Sequence, residues 1–436
     1  MLNVIFFLCI VGILSSPYKN GSIGVSMDIP DGSTVVATTA IPPFCMIAGS
    51  NPSNNWHLRL DRGPNPANLT PKALVLEAKK RVGVPEEANL LENRKFLAGD
   101  IEGWWQLIQS PAKDDSTVIG WFVLPAPGQQ YIMASVLTDD IGWKMAGNSI
   151  LASIKSINPL DPVEVISDKM AGLDAATEKL STINKNSLIT LIGFEEWRRI
   201  QTVQSEGGTP KDIGYAKVSV SSGTVDNLDT DKSQDNEIPT GIIVTLRSRL
   251  IPNPATGVVV DSTAKYWMSW DGIEERWSNR VNRWVDRVSA IESETGIRNR
   301  AQLGAPKPKL LVIQQDLTSN KIEPPFETII EDPWLPRAMV WILGHWLTDN
   351  ELDKNYIWRT YDNTGISRVV TRSDTVTRGD DGITTITTKF GEENDSLITT
   401  IDINGRLIKQ KQVGGVLVSG SSEETLRSIW QPKKLW

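Results

Sequence analysis

Histidine and cysteine, the side chains that most often carry nucleophilic and metal chemistry, are scarce in this sequence. Its 436 residues include two histidines and two cysteines. His57 and His345 fall in different predicted domains, so a Ser-His-Asp or Cys-His site would need a cross-domain arrangement. If the N-terminal apolar run that contains Cys9 is removed, Cys45 is the last cysteine, and neither a disulfide nor a cysteine-rich zinc site can form. We therefore predict no catalytic residue, no metal site and no cofactor.

Long basic runs and the short motifs of common enzyme classes are also missing. Asp and Glu together number 52 and Lys and Arg 45, which gives a formal net charge of −7. Nucleic acids and anionic membrane surfaces bind positive patches, so this balance argues against nucleic acid as a partner. No P-loop, no dinucleotide-binding glycine pattern, no H-E-x-x-H and no EF-hand loop occurs.

An apolar run, VIFFLCIVGIL, occupies Val4–Leu14 and is followed by two serines. Its length suits the h-region of a secretory signal peptide and falls short of the roughly 20 apolar residues of a membrane-spanning helix. The preceding residues include no Lys or Arg, and Pro17 stands where the mature chain would begin, so an uncleaved anchor and a buried N-terminal strand are the alternatives. We predict a signal peptide or N-terminal apolar segment over residues 1–21, no integral membrane domain, and export to the periplasm or cell envelope.

The length of the chain and its mixture of strand and helix patterns predict an α+β fold in two domains, each an antiparallel sheet packed with a few helices. The first domain, residues 22–158, has a well-marked helix from Thr70 to Val82 and a closing helix that places Ile150, Ile154 and Ile157 on one stripe. Apolar and alternating runs predict strands at Ser22–Pro30, Trp56–Leu60, Gly103–Ile108, Thr117–Leu124 and Tyr131–Leu137.

This order of strands, helix, three strands and a final helix that contains Ile150-Leu151-Ala152-Ser153-Ile154 resembles the Mog1/PsbP-like domains of many exported proteins. The resemblance covers the first domain and is one of pattern. It implies a domain that binds or assists other proteins, since enzymes are not typical of that group. No functional residue is carried over from it.

A helical linker is predicted at residues 159–193, where Val163 to Leu180 has an amphipathic helical pattern. A strand-rich α+β domain, residues 194–436, follows it. The segment Pro336–Leu347 (PRAMVWILGHWL) is apolar nearly all round and predicts a buried helix. Strands are predicted at Tyr215–Val220, Ile238–Leu250 and Lys309–Gln315.

Short β-prone segments alternate with turn sequences from Trp358 to Ser419, which predicts an antiparallel meander of about six strands. A short helix, Glu423–Trp430, follows it, with Ser421 and Glu424 at the capping-box spacing. The meander and its helix, with the strand Thr399–Leu407 (TTIDINGRL), resemble the LolA/LppX type of periplasmic half-barrel. That resemblance implies an apolar cavity that carries lipoproteins or lipids.

Tryptophan is abundant, with 16 residues against 8 Phe and 6 Tyr. Trp267, Trp270, Trp277 and Trp284 fall within a predicted hairpin that turns at Asp271-Gly272, with a helix as the alternative for its second arm. Exposed on one face, the four rings would form a platform for sugar rings, apolar ligands or a protein partner; buried, they would form the domain core. They are our candidate ligand- or partner-binding residues.

Paired carboxylates offer acid-base chemistry without histidine, as in glycosidases. The candidates are Glu195-Glu196 and Glu274-Glu275, each directly before a tryptophan. Adjacent residues of a strand point to opposite faces, so the alternative is a solvated face on which one carboxylate of each pair binds an arginine. The arginines nearby in sequence are Arg198, Arg276 and Arg280.

From these observations we predict an exported, non-enzymatic protein of the cell envelope that binds a protein partner or an apolar ligand through its second domain. One alternative is a carboxylate-based, glycosidase-like hydrolase that uses Glu275 beside a tryptophan platform. The other is an architectural protein that spaces other envelope components.

Overall fold

The structure of the protein is a computed structural model that describes most of the chain from Tyr18 onward. The described residues are 18–30, 33–38, 44–49, 56–82, 84, 87–111, 116–203, 208–228, 240–252, 257–285, 288–300, 307–347, 354–363, 369–379, 382–391, 396–412 and 415–436. The predicted leader, residues 1–21, lies outside them except for 18–21.

Strands dominate the fold: 54% of the described residues lie in strands and 22% in helices. The predicted α+β class is therefore wrong, and the protein is mostly β. Strands rich in charged or polar side chains account for the excess, as in Asn89–Ala98 (NLLENRKFLA) and Val288–Arg298 (VSAIESETGIR). Most side chains of the first strand are exposed, and most of those in the second are exposed or half-buried, so neither strand has the apolar run by which a strand is recognised in sequence.

The described residues divide into two compact units, the first up to Met170 and the second from Ala171 onward. The strands of the first unit are β1 (Tyr18–Asn20), β2 (Val25–Met27), β3 (Ser33–Thr38), β4 (Phe44–Gly49), β5 (Trp56–Pro64), β6 (Asn89–Ala98), β7 (Ile101–Ser110), β8 (Thr117–Ala126), β9 (Gln130–Asp139) and β10 (Asn158–Pro159). Its helices are α1 (Pro71–Val82) and α2 (Asp140–Lys155), and α3 (Pro162–Ser181) continues from the first unit into the second. The sheets are antiparallel, with strand orders β1-β2-β10 and β3-β4-β5-β9-β8-β7-β6.

Helices cover both faces of the larger sheet of the first unit. On β8, Trp121 and Val123 pack with α1, whereas Phe122 and Leu124 belong to the core cluster that includes α2. Alternate side chains of a strand point to opposite faces, so a strand that is covered on both sides is apolar throughout. This packing explains the apolar run by which β8 was predicted, and α1 confirms the helix predicted from Thr70 to Val82.

The second unit contains one large antiparallel sheet and short helices. Its strands are β11 (Glu195–Thr202), β12 (Lys211–Thr224), β13 (Thr240–Leu250), β14 (Val259–Ser269), β15 (Glu275–Val285), β16 (Val288–Arg298), β17 (Lys309–Asp316), β18 (Lys321–Ile322), β19 (Phe326–Ile329), β20 (Lys354–Tyr361), β21 (Val369–Arg378), β22 (Thr384–Phe390), β23 (Ser396–Ile401), β24 (Leu407–Lys411) and β25 (Val416–Ser421). Its helices are α4 (Lys185–Ile189), α5 (Arg337–Trp346), α6 (Glu423–Trp430) and a 3-10 helix (Val225–Leu228). The strand order is β18-β17-β16-β15-β14-β13-β12-β11-β25-β24-β23-β22-β21-β20, and β19 pairs with β17.

Two predicted features of this sheet are confirmed. β14 and β15 form a hairpin, and Gly272 in its turn has φ of 69°, a conformation that glycine adopts without strain. β20 to β25 form the predicted meander of six strands. The meander is joined to the rest of the sheet, because β25 pairs with β11 and places Ser421 opposite Trp197.

The large sheet curls around α5, the helix predicted at Pro336–Leu347. Side chains of α5 form one buried cluster with residues of β12 to β15 and of β20 to β23. The two ends of the sheet also approach each other: the Tyr361 hydroxyl of β20 donates to Glu294 of β16 at 3.0 Å, and the rings of Tyr361 and Trp277 lie 5.3 Å apart. A helix enclosed in this way is apolar nearly all round. We refer to the face of the sheet that contacts α5 as the inner face and to the opposite one as the outer face.

Helix α6 spans Glu423–Trp430 as predicted, but its cap differs from the prediction. The Ser422 Oγ accepts a hydrogen bond from the Thr425 N–H at 3.1 Å, so Ser422 is the N-cap. The predicted cap, Ser421, is the last residue of β25. Two adjacent serines offer similar spacings, and pairing with β11 commits the first of them to the sheet.

Candidate functional site

The four tryptophans predicted to bind a ligand do not form one platform. Trp277 lies on the inner face and belongs to the cluster around α5. Trp267 lies on the outer face, where its Nε1 donates to the Gly223 carbonyl at 3.2 Å. The two side chains are 1% (Trp267) and 2% (Trp277) exposed, so neither ring is open to a ligand.

Trp270 and Trp284 differ in exposure. Trp270 is partly buried, its Nε1 donates to the Thr240 hydroxyl at 3.1 Å, and the Lys185 Nζ lies 5.7 Å from its ring centroid. Trp284, near the end of β15, is 41% exposed and lies on the outer face. The structure therefore leaves Trp284 as the most accessible ring of the predicted group.

Glu275 lies in a buried ion pair. Its side chain is 1% exposed, and its Oε1 lies 3.0 Å from the Arg298 Nε and accepts from the Trp334 Nε1 at 2.6 Å. Its Oε2 accepts at 2.7 Å from the backbone N–H of Arg337, the first residue of α5. The first N–H groups of a helix lack partners within the helix and carry partial positive charge, so Glu275 stabilises the start of α5. Burial lowers the pKa of Arg298, and the neighbouring Glu275 opposes that shift.

Glu196 repeats this arrangement in the other glutamate pair. Its Oε2 accepts from the Arg198 Nε and its Oε1 from the Leu407 N–H, both at 2.7 Å. The ion pair of Glu196 with Arg198, one of the alternatives from the sequence, is thus confirmed, but the pair is buried and does not lie on a solvated face. Glu275 binds Arg298 and neither Arg276 nor Arg280.

The glutamate pairs do not form a glycosidase-like site. Glu195 pairs with Lys217 at 2.9 Å and Glu274 with Arg300 at 3.1 Å, so all four carboxylates are in ion pairs. Glu196 lies on β11 and Glu275 on β15, four strand spacings or about 19 Å apart along the sheet. Glycosidases hold their two carboxyl groups about 5 to 9.5 Å apart.

The histidines and Cys45 differ in burial. His57 is exposed on β5. His345 packs edge-on against Phe194 with ring centroids 4.3 Å apart; burial lowers the pKa of His345, and Glu196 acts in the opposite direction. Cys45 is fully buried, 3.3 Å from the Tyr18 hydroxyl. Within the part of the chain that the structure describes, no three His, Cys, Asp or Glu side chains are grouped to hold a metal ion.

The outer face of β12 to β15 carries a group of basic side chains, which we name the cationic face. Its members are Lys217, Arg247, Lys265, Arg276 and Arg280. The strand register places Lys217 opposite Arg247, Arg247 opposite Thr263, and Thr263 opposite Arg280. Residues paired across antiparallel strands point to the same side, so these positions form one row across four strands.

Three of these cations have no partner within the described residues. Lys217 pairs with Glu195, and Lys265 donates to the Asn227 carbonyl at 2.8 Å. The side chains of Arg247, Arg276 and Arg280 make neither an ion pair nor a hydrogen bond to any residue that the structure describes. Arg247 and Arg280 are exposed, and Arg276 is half-buried.

The sequence did not reveal the cationic face because its members come from four separate strands. The sequence contains no long basic run, yet the folded sheet has a positive patch on this face. The alternation of polar and apolar residues in Tyr215–Val220 and Ile238–Leu250 was a signal for one solvated face. Which cations then meet depends on the register between strands, and that register is a property of the folded sheet.

The first half of α3 presents an apolar stripe to solvent. Val163 is 73% exposed, Ile166 59% and Met170 58%. Their spacing of three and then four residues places them on one side of the helix. We name these three residues the α3 stripe.

Comparison with solved structures finds a weak likeness to the solution structure of cyanobacterial PsbP (CyanoP) from Synechocystis sp. PCC 6803. The sequence identity is 12%, the match covers 36% of this chain and 98% of that chain, and the TM-score is 0.27. No protein-family model matches the chain, and no curated protein matches its sequence. The LolA/LppX resemblance stays a prediction. None of the described helices combines the length and the apolar character needed to cross a membrane.

Proposed function

We propose that this chain is an exported, non-enzymatic protein of the cell envelope that binds a protein partner through the α3 stripe. The observation that carries the proposal is the exposure of Val163, Ile166 and Met170 on one side of α3. Export rests on the apolar run Val4–Leu14, which has the length of a signal-peptide h-region.

The spacing of the α3 stripe supports recognition of the helix by a groove. Proteins that bind an amphipathic helix take up side chains at positions i, i+3 and i+7, which is the spacing of Val163, Ile166 and Met170. Burial of each such side chain contributes about 1.5 to 3 kcal/mol.

The interior of the second unit supports a protein partner over an apolar ligand. An apolar ligand of that unit would bind the inner face of the curled sheet. That face is packed with aromatic side chains of the chain itself around α5, namely Tyr266, Trp277, Trp346, Trp358 and Tyr361.

Photo-crosslinking in cells that produce the full chain tests the proposal. With a photoreactive amino acid at Ile166, we expect one discrete adduct with a partner protein. Adding Met170→Ser to the same chain should lower the yield of that adduct roughly tenfold, because an anchor of the stripe is lost. The matched control places the photoreactive amino acid at Asp168, which lies about 200° around the helix from Ile166 and should give no adduct.

An equal adduct from positions 166 and 168 would contradict the proposal, as would the absence of a discrete adduct from position 166. Fractionation of the same cells checks the export part, with the protein expected in the envelope fraction. Recovery of the chain in the cytoplasmic fraction alone contradicts that part.

A further inference from the structure

We propose that the cationic face binds an acidic polysaccharide, that is, a polymer of sugar rings that carry carboxylate groups. This inference goes beyond the proposed function, since it concerns another surface and another class of partner. The cationic face belongs to the second unit, and the α3 stripe belongs to the first.

The basic side chains are spaced at intervals over the outer face. Neighbouring strands lie about 4.8 Å apart, so the row from Lys217 to Arg280 spans about 14 Å. Arg276 lies four residues from Arg280 on β15, or about 13 Å along the strand. Such intervals match an extended polymer with separated charges and exceed the reach of one small anion.

Two cations of the row face each other directly. Lys217 of β12 lies opposite Arg247 of β13, and like charges at directly opposed positions destabilise a sheet. Glu195 offsets the charge of Lys217, and within the described residues no acidic side chain pairs with Arg247 or Arg280. A bound carboxylate would supply the missing negative charge, because arginine holds a carboxylate through two parallel hydrogen bonds.

Hydroxyl side chains occupy the outer face between the cations. They are Ser219, Thr245, Thr263, Ser278 and Ser293. Each hydroxyl donates and accepts hydrogen bonds, as the hydroxyl groups of a sugar do. Each ring of a uronate polymer carries hydroxyl groups beside its one carboxylate, so the chemistry of the polymer matches this face.

Trp284 adds an exposed aromatic ring to the same face. It lies four residues beyond Arg280 on β15, which is about 13 Å along the strand. Its ring offers a flat apolar surface on which a sugar ring can stack, and its Nε1–H is a hydrogen-bond donor. The accessible member of the predicted tryptophan group thereby becomes part of the binding surface.

The charge of the whole chain favours a polymer that is held by short-range contacts over a nucleic acid. A net charge of −7 repels a dense polyanion at long range. Nucleic-acid binding gains its affinity by neutralising many closely spaced phosphates. A polysaccharide held by a few direct arginine–carboxylate contacts and by hydroxyl groups depends less on long-range attraction.

Titration of the full chain with polygalacturonate, followed by tryptophan fluorescence and by calorimetry, tests the inference. We expect saturable binding that weakens as salt is added, and no binding of neutral dextran. Arg280→Gln should lower the affinity roughly tenfold, because a charge-assisted contact is lost. Trp284→Ala should remove most of the fluorescence change.

The matched control is Arg283→Gln. Arg283 is exposed on the same strand, loses the same charge in this variant, and lies on the inner-face side, because it is an odd number of residues from Arg280. Its affinity for polygalacturonate should equal that of the unmodified chain. Thermal unfolding of the variants should match that of the unmodified chain, since the substituted arginines have no described partner.

Three outcomes would overturn the inference: no binding of polygalacturonate, an equal loss of affinity in Arg283→Gln and Arg280→Gln, or tighter binding of single-stranded DNA than of polygalacturonate. Arg280→Gln should leave the adduct from position 166 unchanged. The inference and the proposed function therefore fail independently.

Discussion

At the scale of single residues, two buried glutamates of the large sheet, Glu275 and Glu196, each bind one arginine and one backbone N–H. Glu275 binds Arg298 and the start of α5, and Glu196 binds Arg198 and Leu407. Removal of one partner from such a pair leaves an uncompensated charge in a poorly solvated place. Loss of one partner therefore destabilises the protein more than the attraction between the two partners stabilises it.

Glu275→Gln should lower the free energy of unfolding by about 3 to 5 kcal/mol, because Arg298 then keeps a buried charge without a counterion. Glu274→Gln is the matched control at the adjacent residue. Its pair with Arg300 is partly exposed, so the expected loss is about 0 to 1 kcal/mol. Urea unfolding of both variants measures the difference, and equal losses would contradict the structural role of Glu275.

Residue spacing could not reveal which tryptophans share a surface. Trp267 and Trp277 are near neighbours in the hairpin, yet the register pairs Trp277 with Tyr266 and so turns Trp267 to the other face. A shift of one position in the register exchanges the two faces of a strand. The abundance of tryptophan was visible in the sequence, and the separation of the rings was not.

At the scale of elements, two adjacent serines have different roles: Ser421 is the last residue of β25, and Ser422 caps α6. Ser422→Ala removes the oxygen that accepts from the Thr425 N–H and should lower the free energy of unfolding by about 1 kcal/mol. Ser421→Ala, in the strand, should change it by less than about 0.5 kcal/mol. Chemical denaturation of the two variants tests the assignment of the cap, and a larger effect from Ser421→Ala would refute it.

Elements with a local signal were predicted correctly. The helix α1, the helix α6, the β14–β15 hairpin and the meander β20 to β25 are marked by caps, turn residues and repeated short segments. The strands β6 and β16 were missed because they are stabilised by pairing with neighbouring strands. Their own residues lack the apolar pattern that predicts a strand. That omission made the predicted fold class too rich in helix.

At the scale of the whole molecule, α5 unites the two ends of the large sheet in one core. Ile342 of α5 is fully buried there. Ile342→Ala should cost about 2 to 5 kcal/mol, because the surrounding strands cannot collapse fully onto the space left behind. Ile408→Ala, at a position of β24 that is 41% exposed, is the control and should cost less than about 1 kcal/mol.

Circular dichroism and tryptophan fluorescence should report the same shift for Ile342→Ala, since the core side chains of β12 to β15 and of β20 to β23 surround the same helix. Two separate transitions, one for each half of the sheet, would contradict a shared core.

The pairing of β11 with β25 has a consequence for how the large sheet forms. In the described sheet, neighbouring strands follow each other in the chain from β11 to β18 and again from β20 to β25, so both meanders can grow by successive hairpins. The pairing of Trp197 with Ser421 instead closes a loop that contains more than half of the second unit. Closing a loop of that length costs chain entropy before the contacts between β11 and β25 have formed to offset it. We therefore expect this seam to form late and to set the rate at which the second unit folds.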